Sequence, residues 1–237
     1  MNIIKVKSYA ELSRIAADMI EDVIQKKPNA VLGLATGSSP IGTYEELVKD
    51  YKKGLVDFSA VRSVNLDEYV GLSPEHPQSY RYFMNAHLFD QVNINKENTY
   101  VPDGLTESPE NYGVAYDKNI EDLGGVDLQL LGVGFDGHIG FNEPSDRFAV
   151  ATHVEALDPS TIKANARFFS SESEVPTHAI TMGIGSIMKA KQVLLIASGE
   201  EKAKVLERAF SEDVTPSLPA SILRFHPNVT VIISEGN

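Results

Sequence analysis

The sequence predicts an α/β fold: an open, mostly parallel, doubly wound (Rossmann-like) sheet with helices on both faces and a lid-like excursion. Three observations carry this. Short apolar runs of strand length alternate with longer stretches whose apolar residues recur at helical spacing. The strand candidates are apolar on both faces, as strands between two layers of helices must be. The alternation runs through a chain of 237 residues, long enough for a single large domain over residues 1–237, with no internal repeat and no linker rich in Gly, Ser or Pro.

Taken in order, the first helix is expected from Ser8 to Ile24, where Leu12, Ile15, Ala16, Met19, Ile20 and Val23 make one stripe. Ala30–Leu34 is the first buried strand. Pro40–Tyr51 follows as a helix, with Ile41, Tyr44, Leu47 and Val48 on one face, Ser39 as its N-cap and Pro40 as its first residue. Val61–Leu66 (strand), Ser79–Leu88 (helix) and Asp127–Val133 (strand) continue the alternation. It resumes with Val193–Ala197 (strand), Glu200–Phe210 (helix) and Val229–Ile233 (strand). Between these two blocks, Glu143 to Thr181 is polar and weakly periodic. Such an insertion in an α/β enzyme forms either a plain surface excursion or a lid over the site, here residues 144–181.

Composition removes several functions. With 21 basic and 33 acidic residues the formal net charge is −12, and the surplus of Lys and Arg that phosphate neutralisation demands is missing, so nucleic acid is not an expected partner. The absence of cysteine rules out disulfides, thiolate metal sites and cysteine nucleophiles, and fits a reducing compartment. No apolar stretch of signal-peptide length follows the early lysines, and the longest apolar runs, such as Val193–Ala197, are far below a membrane span. A cytoplasmic location without membrane contact is the expectation.

Three segments could carry chemistry. In Leu34-Ala35-Thr36-Gly37-Ser38-Ser39-Pro40, a strand turns into a helix through a glycine. Gly37 lets backbone approach a ligand, and unpaired amides at a helix start attract anions; an ordinary capped turn is the other reading. No Lys-Ser or Lys-Thr follows, so this is not a Walker loop. In Asn65-Leu66-Asp67-Glu68-Tyr69-Val70-Gly71 a buried strand runs into paired acids. Asp67 would project beyond the carboxyl end of the strand, where ligands bind in such sheets, and could act as a base. Alternatively, Asp67 or Glu68 caps the following turn.

The densest segment runs from Leu131 to Pro144 and holds Asp136, His138 and Glu143 among four glycines. Gly132, Gly134 and Gly137 formally satisfy the dinucleotide fingerprint, but no amphipathic helix opens after Gly137, and Asn142-Glu143-Pro144 discourages one. An acid/base cluster is the better reading, since histidine exchanges protons near neutrality and flanking carboxylates orient the ring. One histidine among hard acids lacks the usual metal-ligand spacing, so no metal is assigned. The other five histidines are given structural roles. Arg167, inside the polar excursion, and Lys202, at the start of the penultimate helix, are candidate clamps for an anionic substrate, or simple surface ion pairs.

In these motifs, read together and in order, the chain resembles the glucosamine-6-phosphate deaminases over essentially its whole length. The segments concerned are Thr36–Pro40, Leu66–Gly71, Gly132–Pro144, Ala164–Phe169 and Gly199–Lys202, of which Gly-His-Ile-Gly-Phe-Asn-Glu-Pro is the most specific. The related 6-phosphogluconolactonases share a Gly-Asp-Gly-His core but continue with Thr-Ala-Ser-Leu-Phe-Pro, where this chain has Ile139 to Pro144. The resemblance implies that a sugar phosphate sits on Thr36, Gly37, Ser38 and Ser39 under Arg167 and Lys202. It implies that His138, set by Asp136 and Glu143, opens the pyranose, and that Asp67 moves a proton from C2 to C1. The products would be fructose 6-phosphate and ammonia, in amino-sugar breakdown. No redox change occurs and the amine activates C2, so no cofactor is implied.

Two alternatives stand beside this one: a lactonase using the same loop and His138 without Asp67, and a non-catalytic sugar-phosphate sensor, for which neither a helix-turn-helix appendage nor a basic patch is seen. The allosteric, hexameric members extend further at the C-terminus than this sequence, which stops shortly after the Val229–Ile233 strand. A monomer without activation by N-acetylglucosamine 6-phosphate is the expectation.

Overall fold

The computed structural model describes residues 1–234 and 236. Its strands are β1 (Asn2–Val6), β2 (Val31–Leu34), β3 (Arg62–Asn65), β4 (Asp67–Tyr69), β5 (Thr99–Tyr100), β6 (Leu128–Leu131), β7 (His153–Ala156), β8 (His178–Thr181), β9 (Val193–Ser198) and β10 (Val229–Ser234). The α-helices are α1 (Tyr9–Lys26), α2 (Ile41–Lys52), α3 (Tyr80–Met84), α4 (Pro109–Asp122), α5 (Pro159–Asn165), α6 (Ile184–Met188) and α7 (Glu200–Ser211). Seven strands form the main sheet in the order β1-β10-β9-β6-β2-β3-β5, every pairing parallel. The sheet is open, as the sequence predicts.

Strand order reverses between β2 and β6: the chain steps from β2 to β3 and β5 on one side, then returns to build β6, β9 and β10 on the other. Such a switch point leaves a crevice beyond the carboxyl ends of the strands. The three chemistry-bearing segments and the Gly199–Lys202 stretch leave the ends of β2, β3, β6 and β9, which are consecutive neighbours in the sheet. Buried tyrosines close two of those ends. Tyr44 of α2 donates to the Ala35 carbonyl at 2.5 Å, and Tyr116 of α4 donates to the Asn65 carbonyl at 2.7 Å.

The core is built as the apolar patterning requires. Val31, Leu32, Leu128, Leu130, Val193, Leu195, Val231 and Ile232 are buried in the sheet, while Leu12, Ala16, Ile20 and Ile24 present one face of α1 to it. Ser8 caps α1, its hydroxyl accepting from the Glu11 amide at 3.2 Å.

Other elements depart from expectation. The polar stretch between Glu143 and Thr181 holds β7, α5 and β8, and β8 lies between β7 and β4 in a second, antiparallel sheet of three strands. Leu66 is the joint: its amide donates to Leu34 in the main sheet and its carbonyl accepts from Met182 beside the small one. Asp67, one residue later, is therefore the first residue of the second sheet. Ser39 does not cap α2, which starts at Ile41; the hydroxyl of Tyr9, from α1, accepts from the Gly42 amide at 2.8 Å in its place. The helix beginning at Ser79 passes at Asn85 into a π-helical turn over Asn85–Phe89. β1, β5, α4 and α6 have no counterpart in the expected series. Among the described residues no helix is long and apolar enough to cross a membrane.

Candidate active site

A cavity of about 420 Å³ opens at the switch point. Thr36, Gly37, Ser38, Ser39, Asp67, Asp136, His138, Arg167 and Lys202 all line it. Residues up to 166 positions apart in sequence thus meet in one crevice, each carried by a strand end or by the segment that follows α5.

His138 is held from behind. Its Nδ1 lies 2.8 Å from Asp136 Oδ1 and 3.4 Å from Glu143 Oε2, close enough for ion pairing, though the ring is not aligned for a linear N–H···O bond with either. Glu143 does not line the cavity; it is buried behind the ring, where its other oxygen accepts from the Asp158 amide at 3.3 Å. Burial alone would depress the basicity of the imidazole, but the two carboxylates outweigh it and raise the pKa to about 9. Burial acts on Asp136 in the opposite sense to His138, and His138 prevails, holding that carboxyl well below the ordinary range. The imidazolium is the resting form at neutral pH.

The glycines of this loop serve the ring rather than a nucleotide. A Cβ on Gly134 would fall 2.4 Å from His138 Cε1, so only glycine lets the imidazole lie against the backbone there. The chain after Gly137 is turn and an Ile139–Asn142 bridge, not a helix, so the formal dinucleotide fingerprint has no structural counterpart. Thr181 of β8 pins the loop by accepting from the Phe141 amide at 2.9 Å, and Asn142 donates to the Met182 carbonyl at 2.9 Å.

Asp67 lines the same cavity and is 6% exposed. Burial, with the like charge of Glu68 added, pushes its pKa up to about 8, against the pull of His138. A carboxylate so raised is a far stronger base than one in water. The site therefore holds a basic carboxylate and a stabilised imidazolium in one cavity, two groups driven apart from their ordinary affinities by environment.

The anion loop lines the same cavity. Gly37 adopts φ +83°, turning the backbone of Thr36–Ser39 around the crevice. Lys202, where α7 begins, donates to Ser39 Oγ at 3.1 Å and lies over the Phe135 ring, 5.5 Å from its centroid. Burial lowers the affinity of Lys202 for its proton, and the nearby positive charge of Arg167 lowers it further. Two cations that repel one another across a cavity lined by hydroxyls and a helix start are an environment completed by a dianion.

Sequence reasoning missed several contributors. Tyr69 and Tyr80 form an aromatic wall with Phe141, their ring centroids 4.9 Å apart, and the Tyr69 hydroxyl accepts from Asn165 Nδ2 at 2.9 Å. Tyr9 supports the anion loop from outside, donating to the Ser39 carbonyl at 3.0 Å. These are long-range contacts without a local spacing to announce them.

Comparison with known proteins follows the same lines. The family model of glucosamine-6-phosphate isomerases and 6-phosphogluconolactonases matches residues 5–232. A glucosamine-6-phosphate deaminase of Lachnoclostridium phytofermentans is 59% identical over 232 residues, 98% of each chain. One of Clostridium perfringens is 54% identical over 235 residues, 99% of this chain and 97% of that one. A solved structure described as a monomeric glucosamine-6-phosphate deaminase superposes with a TM-score of 0.96 at 41% identity, covering 99% of this chain and 97% of that one. A 6-phosphogluconolactonase from Trypanosoma cruzi, at 22% identity and a TM-score of 0.76, shares the fold.

Proposed function

The chain belongs to the family of glucosamine-6-phosphate isomerases and 6-phosphogluconolactonases, and on that premise we propose that it converts glucosamine 6-phosphate to fructose 6-phosphate and ammonia. The observation that carries this is the pairing, in one cavity, of a buried basic carboxylate, Asp67, with an imidazolium, His138, beside a two-cation anion loop.

The sugar's phosphate docks on Thr36–Ser39 between Arg167 and Lys202, which fixes the position of the reacting carbons. His138 gives its proton to the ring oxygen as the C1–O5 bond breaks, and recovers one from the C1 hydroxyl as the aldehyde forms. Asp136 and Glu143 hold the ring in place and keep it charged. Asp67 then removes the C2 proton as the His138 imidazolium protonates the C1 oxygen, leaving an enolamine across C1 and C2. Asp67 returns its proton to C1 while the nitrogen gives one back to His138, leaving the ketose imine. Water adds to the C=N bond, and ammonia departs as the C2 ketone forms. Electrons stay within the substrate throughout, so the arithmetic closes without an external acceptor.

A lactonase needs a base to activate water but has no use for a carbon base. The protonated His138 and the raised Asp67 both favour the deaminase. The test is simultaneous measurement of ammonia and fructose 6-phosphate on addition of glucosamine 6-phosphate. Equal production of both, reduced at least about 1,000-fold in Asp67→Asn, is the expected outcome; hydrolysis of 6-phosphogluconolactone without ammonia would replace this reading with the lactonase. A monomer is part of the proposal, supported by the monomeric relative of the same fold, and sedimentation equilibrium checks it.

A further inference from the structure

Glu68 has no part in the chemistry just described, yet its carboxylate is 2% exposed and sits one residue from Asp67. Along a strand, neighbouring side chains point to opposite faces, so Glu68 turns away from the cavity as Asp67 turns into it. It ends at the start of α3. Its Oε1 accepts from the amides of Tyr69 and Tyr80, both at 2.9 Å, and its Oε2 from the amide of Arg81 at 3.0 Å. Ser79 Oγ takes the next amide, of Tyr82, at 3.0 Å. A carboxylate twelve and thirteen residues away in sequence thus satisfies two of the donors that a helix start leaves open.

The segment fastened in this way is a wall of the active site. Pro77, Gln78, Ser79 and Tyr80 line the cavity, and Tyr80 packs on Phe141 with ring planes 10° apart and centroids separated by 6.0 Å. The guanidinium of Arg81 does not close on Glu68: it is turned to Thr99, donating to its hydroxyl and its carbonyl at 2.7 Å each. Its negative charge is therefore felt by Asp67.

We propose that Glu68 is a positioning residue of this active site, a latch that ties the Pro77–Tyr80 wall to the strand bearing the base and keeps a negative charge behind that base. The inference rests on the proposed reaction for its kinetic consequences, but the latch itself does not. Burial raises the pKa of Glu68 against the pull of its three backbone donors and of the Arg81 charge, and the negative charge of Glu68 in turn raises Asp67. Other titratable groups that interact with Asp67 include His138 on the loop after β6, Tyr69 on its own strand, Tyr80 on α3 and Tyr116 on α4. Glu68 is the acidic one among them, and it works in the sense of greater basicity.

The experiment compares Glu68→Gln and Glu68→Asp with the wild type by amide hydrogen exchange and by the pH dependence of kcat/KM. Glu68→Gln removes the charge and one acceptor. Exchange at Tyr80 and Arg81 is expected to quicken about tenfold, the size of one lost hydrogen bond, KM to rise, and the acid limb of kcat/KM to move to lower pH. Glu68→Asp keeps the charge but falls a methylene short, so KM rises while the acid limb stays in place. An unmoved limb in Glu68→Gln, or wild-type exchange at both amides, overturns the proposal. Should Glu68→Gln not fold, Glu68→Asp decides: faster exchange with a raised KM supports the latch, and wild-type values for both overturn it. Exchange needs no substrate, so a wild-type protein that releases no ammonia would defeat the reaction and leave the latch standing.

Discussion

His138 and Asp67 differ from a free histidine and a free aspartate because of what surrounds them. Two carboxylates lift the imidazole to about 9, and burial lifts Asp67 to about 8. The signs follow from the roles. Asp67 acts as a base, so activity rises as pH climbs through its pKa. His138 acts as an acid, so activity falls as pH climbs through its own. Because the two interact, the apparent values of the resulting bell belong to the pair. Replacing Asp136 with Asn removes one of the supporting charges, and the basic limb of kcat/KM is expected to fall by about 1–2 pH units toward the ~6.5 of a free imidazole. A basic limb that stays where it is would argue that His138 is not the acid. These residues were legible in the sequence through their chemical type and their place after strand candidates. Glu68 was legible only as an acid beside Asp67, since the helix expected over Ser79–Leu88 carries two of the amides it gathers and local spacing does not say that this helix start lies against Glu68. Tyr9 was invisible for the same reason.

At the scale of elements, the anion loop depends on a contact between α1 and the start of α2. Tyr9 donates to the Ser38 and Ser39 carbonyls at 3.2 and 3.0 Å and accepts from Gly42 at 2.8 Å. Tyr9→Phe leaves the Gly42 amide without its partner and frees the loop. It is expected to cost about 1–2 kcal/mol of stability in a denaturant titration and to raise KM for the phosphorylated sugar while changing kcat little. Unchanged KM and stability would mean that the loop holds its shape without α1. The main-sheet strands expected from apolar runs on both faces were all recovered, because burial between two helical layers leaves a plain mark on composition. The second sheet was not. β7 is only half-buried and its four residues, His153 to Ala156, alternate too briefly to register, while β4 is three residues long and begins with two acids. The polar excursion read as a lid is in part the sheet that carries Asp67. α4 was missed because its buried face is narrow, with Tyr116 and Ile120 as its buried apolar side chains among the described ones.

For the molecule as a whole, the net charge of −12 is unhelpful to a phosphorylated substrate at long range, though screening limits this beyond ~8 Å in physiological salt. Attraction has to be local, and the fold concentrates it where four adjacent strand ends meet: two cations and a helix start line the same crevice as the acid and the base. The central claim is that Asp67 takes the proton from C2. The most direct measurement is the fate of deuterium placed at C2 of glucosamine 6-phosphate, followed by NMR during turnover. The account predicts that the label leaves C2 with a primary isotope effect, that part of it reaches C1 of fructose 6-phosphate, and that Asp67→Asn keeps it on C2. Loss of the C2 label at the wild-type rate in Asp67→Asn would contradict the account, and would move the base to another residue of the cavity.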